Sequence, residues 1–599
     1  MPKIELYQNA LFSYIGRSLP HEELEVLLEA AKGEIDEPVD ADGIMKIELN
    51  DTNRPDLWST AGLGRALRIY LGGEIPRYDF FSRAAGHPIA GRVEGTGARP
   101  VTGDPGMRDP AHRRVIVDPR LREYRPYIAA FAVSGKPIDD PSLKDLIQSQ
   151  EKLCNNYGQR RKSIAMGVYR TDLITFPVHY LAADPAETKF VPLGMDRELS
   201  LREIIELHPK GQEFGPIVAE FSRMPFIVDD AGEVLSFPPV INSARVGAVE
   251  EGDEALFVEL TGTDLESLLH ACSIVACDLA DAGHTIHPVE IEYPYDTPFG
   301  RVIVTPFAFQ EPVTAQLPAV RRLLGEQIAA DEAAIALRAM GVPSDLHVGA
   351  DEITAFPPEY RNDFLHPVDV AEDIIIGRGM KSFAPEMPSD FTIGRLSEIE
   401  QYSRNVMGIM VGMGFVEMIF PYLGSGRDFV ENMQPLPPGD TEERPTGRVA
   451  GVVKLENPMS ENYEYVRNSS IPFLLRAESV SAHAAYPHHV FELGKVARFD
   501  PEENHGVRTV DSLAFMSADA DADFTRVAWQ VSVLFYYLSR EYEVVDARDE
   551  RFIPGRAAEV RIDGRPVGVF GEVHPQVLEN FRITVPVTAC EIDLNRVHG

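Results

Sequence analysis

Residues 357–374 read PPEYRNDFLHPVDVAEDI and combine prolines, aromatic residues and a run of acidic side chains. Pro367 stands where the first turn of a helix tolerates proline, so the pattern predicts a loop followed by a helix. Positions 369, 372 and 373 would then share one helical face, and position 363 can fold back towards it. Carboxylate oxygens and water are the ligands that Mg²⁺ prefers. The stretch therefore predicts a magnesium site with the ligands Asp363, Asp369, Glu372 and Asp373.

The same acidic pattern has a second interpretation. Acidic side chains are common in the first turn of a helix, where they complement the positive end of the helix dipole. A segment of that kind needs no metal ion. The spacing by itself leaves both interpretations open.

This order of residues is also found in a known protein family. The features that carry the similarity are Tyr360, Arg361, Asp363, His366-Pro367, Asp369 and Glu372-Asp373. They resemble the metal-site segment of the beta subunit of phenylalanyl-tRNA synthetase. The resemblance implies that the cluster holds Mg²⁺ at the contact with a catalytic alpha subunit.

Seven further segments follow in the order of the archaeal and eukaryotic-type beta subunit. They are LNDTNRPDL at 49–57, LSFPPVINS at 235–243, ELTGTD at 259–264, ENPMSE at 456–461, VRNS at 466–469, FELG at 491–494 and GEVHP at 571–575. The resemblance thus extends from about residue 1 to residue 599. Because eight segments keep one order, the similarity is much more specific than any single motif.

The resemblance and the local patterns together predict a multidomain α+β protein. A chain of 599 residues has room for about four domains. The predicted parts are a small N-terminal mixed α/β domain at 1–83, a linker or mobile loop at 84–112, a central α/β editing-like domain at 113–297, a magnesium-binding helix-turn-helix-like domain at 298–386, and a class II synthetase-like domain with an antiparallel sheet at 390–599.

Apolar spacing predicts several individual elements within these parts. Leucine, cysteine and valine recur on one stripe of residues 265–280, which indicates a helix. A second helix is predicted at 396–413. Residues 346–356 are predicted to form a strand just before the acidic segment.

The central domain is, by resemblance, the place where relatives hydrolyse tRNA wrongly charged with tyrosine. Carried over by position, Ser236, Asn242 and Asp264 would recognise a tyrosine hydroxyl. The residues also allow another interpretation, in which the first two shape a Pro-Pro turn and Asp264 caps the next helix. Relatives usually carry a His-Asp pair where this chain has Tyr169-Arg170, so the detailed geometry of the pocket is expected to differ.

The charge of the chain restricts how it can bind tRNA. Lys plus Arg total 57 against 93 Asp plus Glu, which gives a net charge of −36. A contact with phosphates must therefore be local. One set of candidates is Arg160, Arg161 and Lys162 in the run 159–162, and a second set is Arg113-Arg114 with Arg120, Arg122 and Arg125. Both sets could equally be solvated faces or partners in ion pairs.

The C-terminal part lacks the arginine–glutamate pair and the late Gly-x-Gly-x-x-Arg segment of an active class II site. The resemblance implies a heterotetramer of two alpha and two beta chains that joins L-phenylalanine to tRNA(Phe) with ATP and Mg²⁺. In that assembly the alpha subunit adenylates phenylalanine, and this chain supplies scaffold, interface and proofreading.

Composition agrees with a cytoplasmic protein. No run of about 18 apolar residues exists, so no membrane span is expected. The start of the chain lacks the basic and then apolar pattern of a signal peptide. The cysteines Cys154, Cys272, Cys277 and Cys590 form neither a disulfide framework nor a metal-binding pair.

Two rival hypotheses remain at this point. A non-enzymatic scaffold or regulatory paralogue would fit the acidic balance and the missing class II signatures. A stand-alone metal-dependent hydrolase would need a group that activates water beside the acidic cluster, and His366 is the nearby candidate.

Overall fold

The computed structural model describes residues 2–83, 113–347, 349–433 and 451–599. It contains two compact units, Met1–Glu386 and Met387–Gly599. The linker or mobile loop predicted at 84–112 lies outside the described residues.

The strands of the first unit are β1 Lys3–Tyr7, β2 Gly33–Glu37, β3 Ile44–Leu49, β4 Ser82–Arg83, β5 Arg114–Val117, β6 Tyr127–Ser134, β7 Ile164–Arg170, β8 Val178–Ala183, β9 Lys189–Phe190, β10 Leu199–Ser200, β11 Met224–Asp229, β12 Val234–Phe237, β13 Ile241–Asn242, β14 Leu256–Gly262, β15 Thr285–Glu292, β16 Val302–Thr305, β17 Phe307–Ala308, β18 Val313–Gln316, β19 Ser344–His347 and β20 Glu352–Ala355. Its α-helices are α1 Gln8–Ile15, α2 His21–Leu28, α3 Thr60–Tyr70, α4 Asp140–Lys152, α5 Leu201–Leu207, α6 Pro209–Phe214, α7 Leu265–Asp281, α8 Leu317–Leu324, α9 Ala330–Ala339 and α10 Pro367–Arg378.

The N-terminal sheet is built around β3, which lies between β1 and β2 and runs antiparallel to both. Met45, Ile47 and Leu49 are buried, whereas the residues between them are only partly covered. This alternation is what a strand with one face on a core requires.

A ten-stranded sheet forms the centre of the first unit, in the order β13-β12-β11-β8-β5-β15-β6-β14-β7 with β16 also paired to β15. Its middle strand β5 is parallel to both neighbours, and the remaining pairs are antiparallel. The helix predicted at 265–280 is confirmed as α7, which is buried along nearly its whole length against β6, β14 and β15.

The acidic segment completes a smaller module of three strands and three helices, the last of which is α10. The helix predicted to open at Pro367 is confirmed as α10. The single strand predicted at 346–356 is wrong, because β19 and β20 form an antiparallel hairpin instead. Asp351 has a left-handed φ of 53°, so the chain reverses before β20 rather than continuing extended.

The strands of the second unit are β21 Val416–Glu417, β22 Leu423–Gly424, β23 Val453–Lys454, β24 Tyr465–Val466, β25 His488–Phe499, β26 Val507–Ala518, β27 Glu543–Asp546, β28 Phe552–Ile562, β29 Arg565–Val573 and β30 Val587–Asp593. Its α-helices are α11 Glu398–Gly412, α12 Ile471–Ser481, α13 Phe524–Tyr537, α14 Pro575–Asn580 and α15 Leu594–His598.

A seven-stranded sheet organises the second unit, in the order β21-β25-β26-β30-β29-β28-β27, and it is antiparallel except for the pair β21–β25. Leu513 and Phe515 of β26 belong to a core with α11, α13 and α15, whereas Ala514 and Met516 belong to a core with α12 and α14. Helices thus cover both faces of the sheet, because successive strand residues point to opposite sides. No helix in the described ranges is long and apolar enough to span a membrane.

Candidate functional site

The first turn of α10 uses part of the acidic segment to satisfy its own backbone. Asp369 accepts hydrogen bonds from the amides of Leu365 at 2.8 Å and His366 at 2.7 Å. His366 caps the helix, since its Nδ1 accepts the amide of Val368 at 3.2 Å. A histidine nitrogen engaged in this cap does not support the hydrolase hypothesis.

Two of the other carboxylates share one buried arginine. Arg361 is 1% exposed, and its guanidinium donates to both oxygens of Asp363 and to both oxygens of Asp373. Burial raises the pKa of Asp373 and outweighs the effect of Arg361. Burial also opposes ionisation of Asp363, but the charges of Arg361 and Arg54 hold its pKa below the usual range. The positive charge of the Arg361 guanidinium thus offsets the negative charge of the two carboxylates, so the counter-ion comes from the chain itself.

The fourth predicted ligand points elsewhere. Glu372 is exposed and forms an ion pair with Lys32, which also contacts Asp51 at 2.7 Å. This pair joins α10 to the N-terminal part of the same unit.

The four carboxylates therefore do not converge as predicted. Asp363 and Asp373 meet on Arg361, while Asp369 and Glu372 have other partners. Among the described residues, no group of three or more His, Cys, Asp or Glu side chains is placed to hold a metal ion. As the chain is folded here, the donor set does not fit Mg²⁺, since cations and amides of the chain already engage its oxygens.

The central sheet brings together a buried polar cluster, the candidate pocket, that the sequence indicated only in part. The hydroxyl oxygen of Tyr169 on β7 lies 2.8 Å from Ser236 Oγ on β12 and 2.7 Å from Glu259 Oε1 on β14. All three side chains are buried. Burial raises the pKa of Glu259 to about 7, although the hydrogen bond from Tyr169 and the charge of Arg125 favour its ionised form.

Two arginines lie near this candidate pocket. Arg125 is 2% exposed and donates to Thr261 and to the carbonyl oxygens of Arg161 and Lys162. Arg161 donates to the carbonyl oxygens of Pro239 and Val240 at 3.1 and 3.2 Å, beside the Ser236 strand. The Arg161 guanidinium is thus bound to carbonyl groups of the chain itself.

The predicted basic run lies in an unusual turn. Gln159, Arg160 and Arg161 all have φ between 52° and 65°, a left-handed conformation that costs non-glycine residues energy. Arg160 and Lys162 are exposed, whereas Arg161 stacks on Phe214 at 4.0 Å. Of the three candidates for tRNA contact, Arg160 and Lys162 present their side chains to solvent.

The two remaining predicted pocket residues differ in position. Asn242 lies directly opposite Ser236 in the register of β12 and β13. Asp264 is exposed and caps α7 by accepting the amide of Ser267 at 2.9 Å. The structure thus brings Ser236 and Asn242 together and gives Asp264 a local structural role.

Sequence analysis missed Glu259 and Tyr169. A signal for Glu259 was available, because an acidic residue interrupts the apolar run Phe257-Val258-Glu259-Leu260. A strand buried on both faces is expected to be continuously apolar, so an ionisable residue within it indicates a specific partner. Tyr169 was noted only as a departure from relatives.

The second unit places an ion pair on its sheet. Arg467 and Glu492 are each 1% exposed, and Arg467 Nη1 donates to Glu492 Oε1 at 2.7 Å. A Cβ at Gly494 would lie 2.1 Å from Arg467 Nη2, so the glycine makes room for this contact. The pair stabilises the fold and agrees with the interpretation that this unit is catalytically silent.

Known families match both the acidic module and the second unit. The family described as tRNA synthetase B5 domain matches residues 313–380, and the Phenylalanyl tRNA synthetase beta chain CLM domain matches residues 384–594. These matches and the α+β architecture define the class of protein, an aminoacyl-tRNA synthetase subunit.

Full-length relatives specify the class further. The chain is 43% identical over 597 residues to the phenylalanine–tRNA ligase beta subunit of Borrelia hermsii, with 100% of both chains covered. It is also 43% identical over 599 residues to that of Borreliella burgdorferi, covering 100% of this chain and 99% of the relative. The chain belongs to the phenylalanine–tRNA ligase beta-subunit family.

A solved structure supports the fold of the first unit. An N-terminal fragment of the phenylalanyl-tRNA synthetase beta subunit from Pyrococcus horikoshii is 32% identical, with a TM-score of 0.55. The match covers 63% of this chain and 100% of the fragment. Since the two full-length relatives above are bacterial, the archaeal and eukaryotic type of this chain stays a prediction.

Proposed function

We propose that this chain is the beta subunit of a cytoplasmic phenylalanine–tRNA ligase of the archaeal and eukaryotic type, working in a heterotetramer with two alpha subunits. The observation that supports the beta-subunit role is the full-length match to a chain named phenylalanine–tRNA ligase beta subunit. In the reaction, the phenylalanine carboxylate attacks the α-phosphorus of ATP and diphosphate leaves. A ribose hydroxyl of tRNA(Phe) then attacks the carbonyl carbon, and AMP leaves.

The alpha subunit is assigned the adenylation step. This chain lacks the sequence signatures of an active class II site, and its second unit carries the buried Arg467–Glu492 pair on the sheet. An arginine neutralised in this way has no free fork for a phosphate. The contribution of this chain is therefore scaffold, interface and proofreading.

The surface proposed for the alpha subunit lies at one edge of the seven-stranded sheet. Among the described residues, strand β21 pairs only with β25, which leaves its outer edge open in this part of the structure. Val416 is 64% exposed and Ile419 86% exposed at this edge, and Met387, Phe391 and Ile393 of the same unit are 85–92% exposed. Open edges and exposed apolar side chains are features that a partner subunit covers.

Proofreading of tRNA mischarged with tyrosine is proposed for the central sheet. Ser236 and Glu259 supply buried oxygens that can bond a phenol hydroxyl, and Asn242 lies opposite Ser236. A site that bonds a hydroxyl discriminates strongly against an analogue that lacks one. Exposed Arg160 and Lys162 are proposed to contact tRNA phosphates.

The proposed function is tested by charging assays on this chain alone and on the chain co-purified with the alpha subunit of the same genome. We expect phenylalanine-dependent exchange of diphosphate into ATP, and charging of tRNA, only in the co-purified pair. The reason is that adenylation is assigned to alpha. A chain that fails to pair, or pairs without activating alpha, would support the scaffold hypothesis instead.

A metal prediction follows from the donors around α10. We expect the thermal midpoint of the isolated chain to be the same in MgCl₂ as in NaCl of equal ionic strength. The reason is that Arg361, Lys32 and backbone amides already engage the carboxylates. Mg²⁺ is proposed to bind here only when alpha supplies further ligands. The Asp369→Ala, Glu372→Ala double variant is then expected to lower charging several-fold without unfolding the chain.

Differential scanning calorimetry of the isolated chain and charging over a range of Mg²⁺ concentrations measure these two effects. A magnesium-specific stabilisation of the isolated chain would show that the donors rearrange without alpha. Unchanged charging by the double variant at low Mg²⁺ would remove the functional case for the metal.

A further inference from the structure

The Tyr169 side chain lies in the pocket described on the central sheet. It is 0% exposed, and its hydroxyl oxygen contacts both Ser236 and Glu259. A phenol carries one proton, which the carboxylate accepts, and the Ser236 hydroxyl can donate back to the phenol oxygen. The polar end of the pocket therefore holds a phenol that belongs to the chain itself.

The strand that carries Tyr169 is shaped for this contact. Gly167 lies opposite Glu259 in the register of β7 and β14. A Cβ at position 167 would lie 2.0 Å from the Tyr169 hydroxyl oxygen and 2.6 Å from Glu259 Oε1. Any side chain there would push the phenol off the carboxylate, so glycine is what allows Tyr169 to reach this position.

The environment has the two properties that a site for a phenol needs. Phe257 packs on Tyr169 with ring centroids 6.3 Å apart and on Phe176 at 5.6 Å, so the phenol ring lies in an apolar environment. At its end, Glu259 Oε2 is buried and has no hydrogen-bond partner among the described residues. Buried polar atoms are ordinarily satisfied, so this oxygen has capacity for a further donor.

We propose that the Tyr169 side chain occupies the phenol-binding end of the pocket and competes there with the tyrosyl group of a mischarged tRNA. The chain thus sets its own specificity: a tyrosyl group reaches Ser236 and Glu259 only after the Tyr169 ring moves aside. This inference rests on the proposed proofreading function for its biological meaning, but the occupancy itself is a property of the folded chain.

The competition has a quantitative consequence. When only a fraction of the molecules has an open pocket, the apparent affinity for a ligand falls by that fraction. Minor conformers are commonly populated at about 0.1–10%, so removing the Tyr169 ring is expected to raise hydrolysis of tyrosyl-tRNA by about tenfold or more. Tyr169 would then be a specificity-determining residue that limits proofreading.

Ligand binding to the chain with the ring removed is the first test. We expect Tyr169→Ala to bind p-cresol about tenfold or more tightly than toluene, because the vacated carboxylate and hydroxyl need a hydroxyl partner. Isothermal titration measures both affinities, and circular dichroism checks that the variant is folded. Tyr169→Leu, which keeps part of the packing, serves if the alanine variant does not fold.

Phe257→Ala is the matched control. It opens a cavity beside the same ring but leaves Tyr169 on Ser236 and Glu259, so no preference for p-cresol over toluene is expected. A folded Tyr169→Ala or Tyr169→Leu variant that binds p-cresol no better than toluene would overturn the proposal. Equal preference in the Phe257→Ala control would overturn it too.

Hydrolysis of tyrosyl-tRNA by the complex with alpha separates the inference from the proposed function. Faster hydrolysis by the Tyr169 variants supports both. If the variants prefer p-cresol but neither they nor the unmodified complex hydrolyse tyrosyl-tRNA, proofreading fails while the occupancy of the pocket stands. Unmodified complex that hydrolyses tyrosyl-tRNA as fast as the variants would overturn the competition.

Discussion

Arg361→Ala is expected to lower the free energy of unfolding of the first unit by about 3–5 kcal/mol. The arginine is 1% exposed and donates to Asp363 and Asp373, whose side chains are 10% and 6% exposed. Removing it leaves two buried carboxylates without their cation, and the desolvation of those charges is no longer offset. Urea unfolding followed by far-ultraviolet circular dichroism measures the change.

A matched control lies on α10, the helix that carries Asp373. Arg378 pairs with Glu326 at 2.8 Å, and their side chains are 28% and 36% exposed. Since partly exposed ion pairs are worth at most about 1 kcal/mol, Arg378→Ala should change the unfolding free energy little. If both variants lost a similar free energy of unfolding, burial of Arg361 with Asp363 and Asp373 would add nothing to the effect of a partly exposed ion pair.

The Val416→Asp, Ile419→Asp double variant is expected to abolish assembly with the alpha subunit and, with it, charging of tRNA. Both side chains stand at the open edge of β21 and are mostly exposed. Two carboxylates there would have to be desolvated on docking, which costs several kcal/mol each. Because the positions are exposed in the isolated chain, its own stability should change by about 0.5 kcal/mol or less. Co-purification and size-exclusion chromatography measure assembly.

Val544→Asp provides the comparison at the opposite edge of the same sheet. Val544 is 49% exposed on β27, the other terminal strand. We expect this variant to assemble and charge tRNA normally. Loss of assembly in Val544→Asp, or normal assembly of the double variant, would place the alpha subunit elsewhere.

Local patterns predicted helices better than they predicted reversals. The stripe at 265–280 and the proline at 367 correspond to α7 and α10 with only small differences at their ends. The hairpin β19–β20 was missed, although Gly349 and Asp351 within residues 346–356 are of the types that favour turns. Asp351, with its left-handed φ, decided that point.

The candidate pocket was also predicted only in part. Ser236 and Asn242 were found through the family segment at 235–243, and they lie opposite each other in neighbouring strands. Asp264 was placed in the pocket, yet it caps α7. Glu259 carried a local signal, since it interrupts an apolar run, but its pairing with Tyr169 could not be assigned because nothing in the local sequence says that their strands are neighbours.

The family, the order of the segments and the start of the acidic helix followed from the sequence, because these depend on residue identity and on backbone preferences over a few positions. Which groups meet depends on how distant parts of the chain pack together. Glu372 pairs with Lys32 across 340 residues, and Tyr169 reaches Ser236 and Glu259 across 67 and 90 residues. The contacts of Tyr169 are selected by burial, since a buried charge or hydroxyl must find a partner wherever the packed chain provides one.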